Sequence, residues 1–229
     1  MIRNITYLIA LIAVLVAPQA YGQTSEDTRK LSAFNGIKIS NAIEAEFEKG
    51  DRHEIQITAS GLDVDKVETN ITNRQLEIKL ARGNFRSTSV RVKVIYVDID
   101  QIEASTSSRV FFKDVIESKT VKITASTSSY VEAKVNCSNL QLDAASNAKI
   151  FINGTADNLN IRAVTSAEIN AKDLQANTAD IVANTAAKAD IRIKDSIKGS
   201  AATAAKVYYS GNPNIVDIKT STAGAIEQR

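Results

Sequence analysis

Apolar and polar residues alternate in short bursts along this chain, and the bursts return at a nearly fixed period. Seven segments align without gaps, namely Ala104–Val110, Ala125–Val131, Ala144–Ile150, Ala163–Ile169, Ala183–Ala189, Ala201–Val207 and Thr220–Ile226, their first residues 21, 19, 19, 20, 18 and 19 positions apart. Two residues before each segment stand Ile102, Ile123, Leu142, Ile161, Ile181, Gly199 and Ile218; four before stand Asp100, Val121, Leu140, Leu159, Ala179, Ile197 and Val216. The intervening positions are mostly polar, which is the period-2 alternation of a strand with one buried face. The last residue of each segment opens a second alternating pair, continued by Phe112, Ala133, Ile152, Ala171, Ile191 and Tyr209. Each unit therefore reads as strand, small-residue corner, strand and a variable loop.

One such unit cannot bury its own apolar face. Stacked in register, every Ile/Val column touches its copies above and below, so the repeat predicts a solenoid with a rise near 4.8 Å per coil. The expected fold is all-β, a single-domain right-handed parallel β-helix over residues 23–229, with regular coils over about 101–228. A helical or leucine-rich solenoid does not fit the period or the signature residues. Residues 34–100 show looser alternation, as in Ile37-Lys-Ile39, Ile55-Gln-Ile57, Leu76-Glu-Ile78-Lys-Leu80 and Val90-Arg-Val92-Lys-Val94. These read as degenerate coils ending at Ile39, Ala59, Leu80 and Ala104. At the ends of the rod, residues 24–33 are expected to cap one edge. The last coil is expected to be weakly protected and able to pair with another chain.

The first 22 residues are of another kind, with Arg3, an apolar run from Ile5 to Ala17 and the small-residue stretch Ala20-Tyr21-Gly22. This is the pattern of a secretory signal peptide, with cleavage expected near Gly22/Gln23. Export would place the chain in the periplasm, at the outer membrane or outside the cell. The whole chain carries a formal charge of +2, and loss of Arg3 leaves 2 − 1 = +1. A charge so near zero argues against a nucleic-acid partner. Cys137 is the only cysteine, so no internal disulfide can form, and a buried thiol is expected.

Phe34-Asn-Gly-Ile-Lys-Ile39, Glu46-Phe47-Glu-Lys-Gly50-Asp51, Leu76-Glu-Ile78, the recurring small corner, Tyr208-Tyr-Ser-Gly211-Asn-Pro213 and Ala223-Gly-Ala-Ile226 together resemble the auto-transporter adhesin head GIN-domain family over about residues 33–228. The resemblance implies a secreted β-solenoid with an adhesive role, and it brings no catalytic or binding residues with it. Members of that family usually place Gly in the corner, where this chain has Thr or Ser. Threonine resists the positive φ that glycine allows, so a differently bent corner is expected.

Chemistry-bearing residues are sparse. Outward carboxylates such as Glu103, Asp143, Asp180 and Asp217 are separated by coils or by phase, without the convergence that calcium requires. His53 is the sole histidine and is expected in an exposed turn, Gly50-Asp51-Arg52-His53. Neither zinc ligation nor Cys/His or Ser/His/Asp catalysis has enough partners. No cofactor is expected. One surface feature is suggestive: the column Arg109, Tyr130, Lys149, Glu168, Lys188, Lys206 and Ala225 makes a largely basic stripe. Beside it runs a column of hydroxyls, Thr106, Thr127, Ser146, Thr165, Thr185, Thr203 and Thr222, whose members could bond to one another. Arg109, Lys149, Lys188 and Lys206 with Thr106, Ser146, Thr185 and Thr203 are the candidate ligand-facing set, suited to an acidic glycan or another cell-surface polymer. The expected function is a non-catalytic adhesin-like or structural binding module of the cell envelope; the alternative is a polysaccharide-active β-helix enzyme.

Overall fold

The computed structural model describes residues 24–85 and 87–229; the expected signal peptide lies outside them. The strands are β1 (Thr24–Lys30), β2 (Gly36–Ile39), β3 (Glu44–Lys49), β4 (Glu54–Ser60), β5 (Val67–Thr72), β6 (Gln75–Leu80), β7 (Ser89–Tyr96) and β8 (Gln101–Ala104), followed by β9 (Arg109–Ala125), β10 (Tyr130–Ala145), β11 (Lys149–Val164), β12 (Glu168–Asn184), β13 (Lys188–Ala201), β14 (Lys206–Ser210), β15 (Ile215–Thr220) and β16 (Ala225–Gln228). From β8 onward neighbouring coils pair in parallel, with Leu142, Ile161 and Ile181 in one register column. These columns form the core: Val110, Val131, Ile150 and Ile169 on one wall and Ile102, Ile123, Leu142, Ile161 and Ile181 on another are buried. The expected parallel β-solenoid is the fold observed.

The expected variable loop is absent from the central coils. After each corner the chain runs as one strand of 14 to 17 residues to the next corner. Differences in coil length are taken up inside the strands as bulges, for instance where Glu132 and Lys134 of β10 face Phe111 and Val115 of β9, leaving two extra residues in the longer coil. A bulge bends a strand without breaking its ladder on either side, so no loop is needed.

The corner also differs from expectation. Its two central residues both lie in the left-handed region, for example Thr106 (φ 51°) with Ser107 (59°) and Thr127 (52°) with Ser128 (60°), and the same pair of angles recurs at Thr165, Thr185, Thr203 and Thr222. The amide of the fourth residue returns to the carbonyl of the first, as from Ser129 to Ser126 at 3.2 Å, so each corner is a type I′ turn. Threonine is strained there. What holds it is a main-chain ladder along the rod: Ser107 N–H donates to Thr127 O, Ser128 to Ser146, Asn147 to Thr165, Ser166 to Thr185, Ala186 to Thr203 and Ala204 to Thr222, at 2.9 to 3.0 Å. The exposed hydroxyl column makes no bonds along itself among the described residues. Inside the turn, Ser108 and Ser129 are buried and donate to Ile39 O and Ala104 O of the coil below. Because Thr127 itself lies in the left-handed region, Thr127→Gly is expected to leave stability unchanged or raise it by up to about 1 kcal/mol. The same change at the strand position Thr124 lowers it by about 1 kcal/mol. Denaturant midpoints of the two variants check this.

Residues 34–100 are not a simple run of coils in chain order. β2 pairs in parallel with both β6 and β8, and β3 with both β7 and β9. The Gly36–Lys49 half-coil thus lies between β6/β7 and β8/β9, and it turns through Asn41 and Ala42 at φ 63° and 56°. β4, expected to end a coil at Ala59, instead runs antiparallel to both β7 and β1. β5 and β6 form an antiparallel hairpin through Asn73-Arg74. Period-2 alternation fixes which face a strand buries but not which strand lies beside it, and this end of the rod uses that latitude. β1, whose sequence is TSEDTRK, is the outermost strand here, a charged edge that discourages further pairing. At the other end, among the described residues, β15 pairs only with β13 and β16 only with β14. Val216, expected inside, is 47% exposed because no strand among the described residues covers it.

Candidate functional site

The columns just beyond the corner carry the candidate set, and the ladder places them in register. Along the rod run Arg91, Glu44, Arg109, Tyr130, Lys149, Glu168, Lys188, Lys206 and Ala225, each paired with the next. Because side chains alternate across a strand, all of these stand on the outer face. Thr106, Ser146, Thr185 and Thr203 occupy the exposed second position of the turns, three residues before Arg109, Lys149, Lys188 and Lys206.

The stripe is less uniformly basic than its composition suggests. Lys149 reaches Glu168 at 3.1 Å, and Glu44 reaches Arg91 at 3.4 Å. Exposed pairs of this kind contribute little stability, but they neutralise locally. The Arg109 guanidinium lies 5.5 Å from the Tyr130 ring centre and 5.6 Å from that of Phe111, within cation–π range. Lys188 and Lys206 are direct neighbours in register and make no ion pair among the described residues.

An aromatic group accompanies the cations. Phe111 and Phe151 flank Tyr130, with ring centres 5.5 and 5.2 Å away, and the Tyr130 hydroxyl donates to Glu132 at 2.8 Å. Partial burial first, and this bond second, push the Tyr130 phenol up to about 12. Phe111 and Phe151 were not in the expected set. The signal that could have found them is the adjacent pair Phe111-Phe112: in a strand two consecutive aromatics must take opposite faces, so Phe112 is buried and Phe111 lies outside.

The remaining candidates fall elsewhere. Cys137 is 8% exposed and burial pushes its thiol up to about 11, which makes it a poor nucleophile. His53 is half-buried rather than exposed, with its ring 4.7 Å from Phe34 and its Nδ1 atom without a partner among the described residues. The turn folds back onto β1, whose following residue Leu31 donates to the His53 carbonyl at 2.9 Å. Desolvation lowers its pKa. Among the described residues, no three His, Cys, Asp or Glu side chains come close enough to hold a metal ion.

Residues 33–213 match the family described as "Putative auto-transporter adhesin, head GIN domain". The chain belongs to this family. No curated protein matches the chain. Solved structures share the fold of this GIN-domain chain, among them the following three. A "putative adhesin" from Bacteroides fragilis is 15% identical with a TM-score of 0.79, the match covering 90% of this chain and 97% of that one. A "putative adhesin" from Parabacteroides merdae is 19% identical at a TM-score of 0.75, covering 91% and 97%. A "Putative lipid binding protein" from Parabacteroides distasonis is 18% identical at 0.67, with the same coverages. At such identities the likeness of these GIN-domain structures is one of fold.

Proposed function

We propose that this GIN-domain chain is an exported, non-catalytic binding module of the cell envelope that engages an acidic glycan or similar surface polymer along the column from Arg109 to Lys206. One observation carries the reading: Lys188 and Lys206 are stacked in register with no carboxylate bonded to either among the described residues. Like charges directly opposite on a sheet are destabilising. An anionic ligand spanning two coils relieves that repulsion, and a polymer with an acid group on successive units supplies it repeatedly. The family's adhesin description and the signal-like residues 1–22 support export and attachment.

Binding of polygalacturonate and of hyaluronate to the chain without residues 1–22 tests this. Affinity is expected to fall as salt rises, because exposed charges more than about 8 to 10 Å apart are screened at physiological ionic strength. Changing Arg109, Lys149, Lys188 and Lys206 to Gln should weaken binding while the unfolding transition stays in place, since none of the four is buried. Salt-insensitive binding that survives the fourfold change removes the stripe from consideration. Release of shortened or unsaturated sugars establishes the enzyme alternative instead.

A further inference from the structure

One depression on the rod lies away from the basic stripe. It is a groove of about 590 Å³ on the wall that precedes the corner, bordered by the column Thr120, Asn139, Asn158, Thr178, Ser196 and a second one formed by Gln141, Asn160, Asp180 and Lys198. The inward Leu140, Leu159 and Ala179 lie between the two columns and make its floor. The wall bends where Cys137 turns inward and Asn139 outward, and both columns lie on the corner side of that bend.

The first column is already organised. Asn158 Nδ2 donates to Asn139 Oδ1 at 3.1 Å, and Asn158 Oδ1 accepts from the Thr178 hydroxyl at 3.0 Å, so the amide planes are held in one orientation along three coils. The second column is not saturated. Gln141 uses its amide nitrogen on Asp143 at 2.8 Å, which leaves its oxygen as an acceptor. Asn160, Asp180 and Lys198 make no side-chain hydrogen bond or ion pair among the described residues. Asp180 and Lys198 cancel in charge. The groove therefore offers donors and acceptors repeated at the coil spacing on either side of an aliphatic floor, with no net charge.

We infer that this groove binds a neutral polysaccharide lying along the rod axis, with one sugar unit per coil. Vicinal sugar hydroxyls are both donors and acceptors. Asparagine presents both functions on one plane, and aspartate accepts from two hydroxyls at once. The coil rise near 4.8 Å is about the length of one pyranose unit, so identical contacts can be made on successive coils. An acidic polymer finds no surplus of cations here. A peptide finds neither side-chain pockets nor an unpaired strand edge, since the backbone of this wall is paired on both sides from β10 to β12.

The test is calorimetric titration of the chain lacking residues 1–22 with cellohexaose, laminarihexaose, mannohexaose, xylohexaose and maltohexaose. At least one is expected to bind saturably, with affinity unchanged by salt and falling as the sugar is shortened to the disaccharide. Joint Asn160→Ala and Asp180→Ala replacement removes two exposed side chains without intramolecular partners, so the fold should be kept while binding weakens about tenfold or more. The fourfold Gln variant of the stripe should bind these sugars like the unaltered chain, so this inference can fail while the acidic-polymer reading stands, and the reverse. Absence of binding by every hexasaccharide, full binding by the double variant, or affinity independent of length overturns the inference.

Discussion

Replacing Ile161 by Asp is expected to lower stability by about 3 to 5 kcal/mol, a drop in melting temperature on the order of 10 °C for a chain of this size. Ile161 is 1% exposed and sits in register between Leu142 and Ile181. A carboxylate there meets only aliphatic side chains from the coils above and below, and an unpaired buried charge is among the few single changes with an effect this large. Lys149→Glu, on the outer face, removes one exposed pair with Glu168 and is expected to cost less than about 1 kcal/mol. Thermal melts of the two variants followed by circular dichroism decide the matter; coincident transitions contradict the assignment of inner and outer columns.

The second large effect concerns main chain rather than core. Gly154→Ala is expected to destabilise by on the order of 3 kcal/mol. Gly154 has φ 113°, and a Cβ there would lie 2.0 Å from the carbonyl oxygen of Val135 on the neighbouring coil. The obstruction is backbone held in a parallel ladder, so it cannot swing aside as a side chain would. Gly36→Ala is the control, since its added Cβ meets nothing closer than 3.5 Å, and it is expected to stay within about 1 kcal/mol. Urea unfolding of both proteins measures the difference, and equal midpoints would show that β10 and β11 can move apart at low cost.

The coils from residue 101 onward are legible in the sequence because two signals coincide there: alternation states which side chains go inward, and the repeat states what they meet. Ile102, Ile123, Leu142, Ile161 and Ile181 could be placed in one buried wall before any coordinates were known, and they are there. Before residue 101 only the first signal is present. Ile37 and Ile39 read correctly as inward, yet nothing in their spacing says that β2 lies between β6 and β8. The corner was misread because the bias of Thr against positive φ is a local preference. It is overridden by a main-chain ladder that exists only once several coils are stacked. The in-register stripe could be read off as a column, but the pairing of Lys149 with Glu168 and the packing of Arg109 on Tyr130 depend on side-chain reach. The amide groove was hidden by the expectation of a variable loop in each unit, whereas Asn139 and Asn158 stand on continuous strands in adjacent coils.

The displaced position of β2 and β3 has a consequence for how the chain can fold as it is made. These strands need β6 and β7 on one side and β8 and β9 on the other, so the Gly36–Lys49 half-coil cannot be enclosed until residues beyond 109 have left the ribosome. Until then the first hundred residues have no complete template, and closing these distant contacts is slow. Beyond that point each coil docks on its predecessor as soon as about twenty further residues appear, in the manner of a linear array. A segment that stays open during its own synthesis also stays threadable. The earliest-made part of the chain then commits only once residues beyond 109 are available, and arrest of elongation before residue 109 should leave it more sensitive to protease than in the full chain.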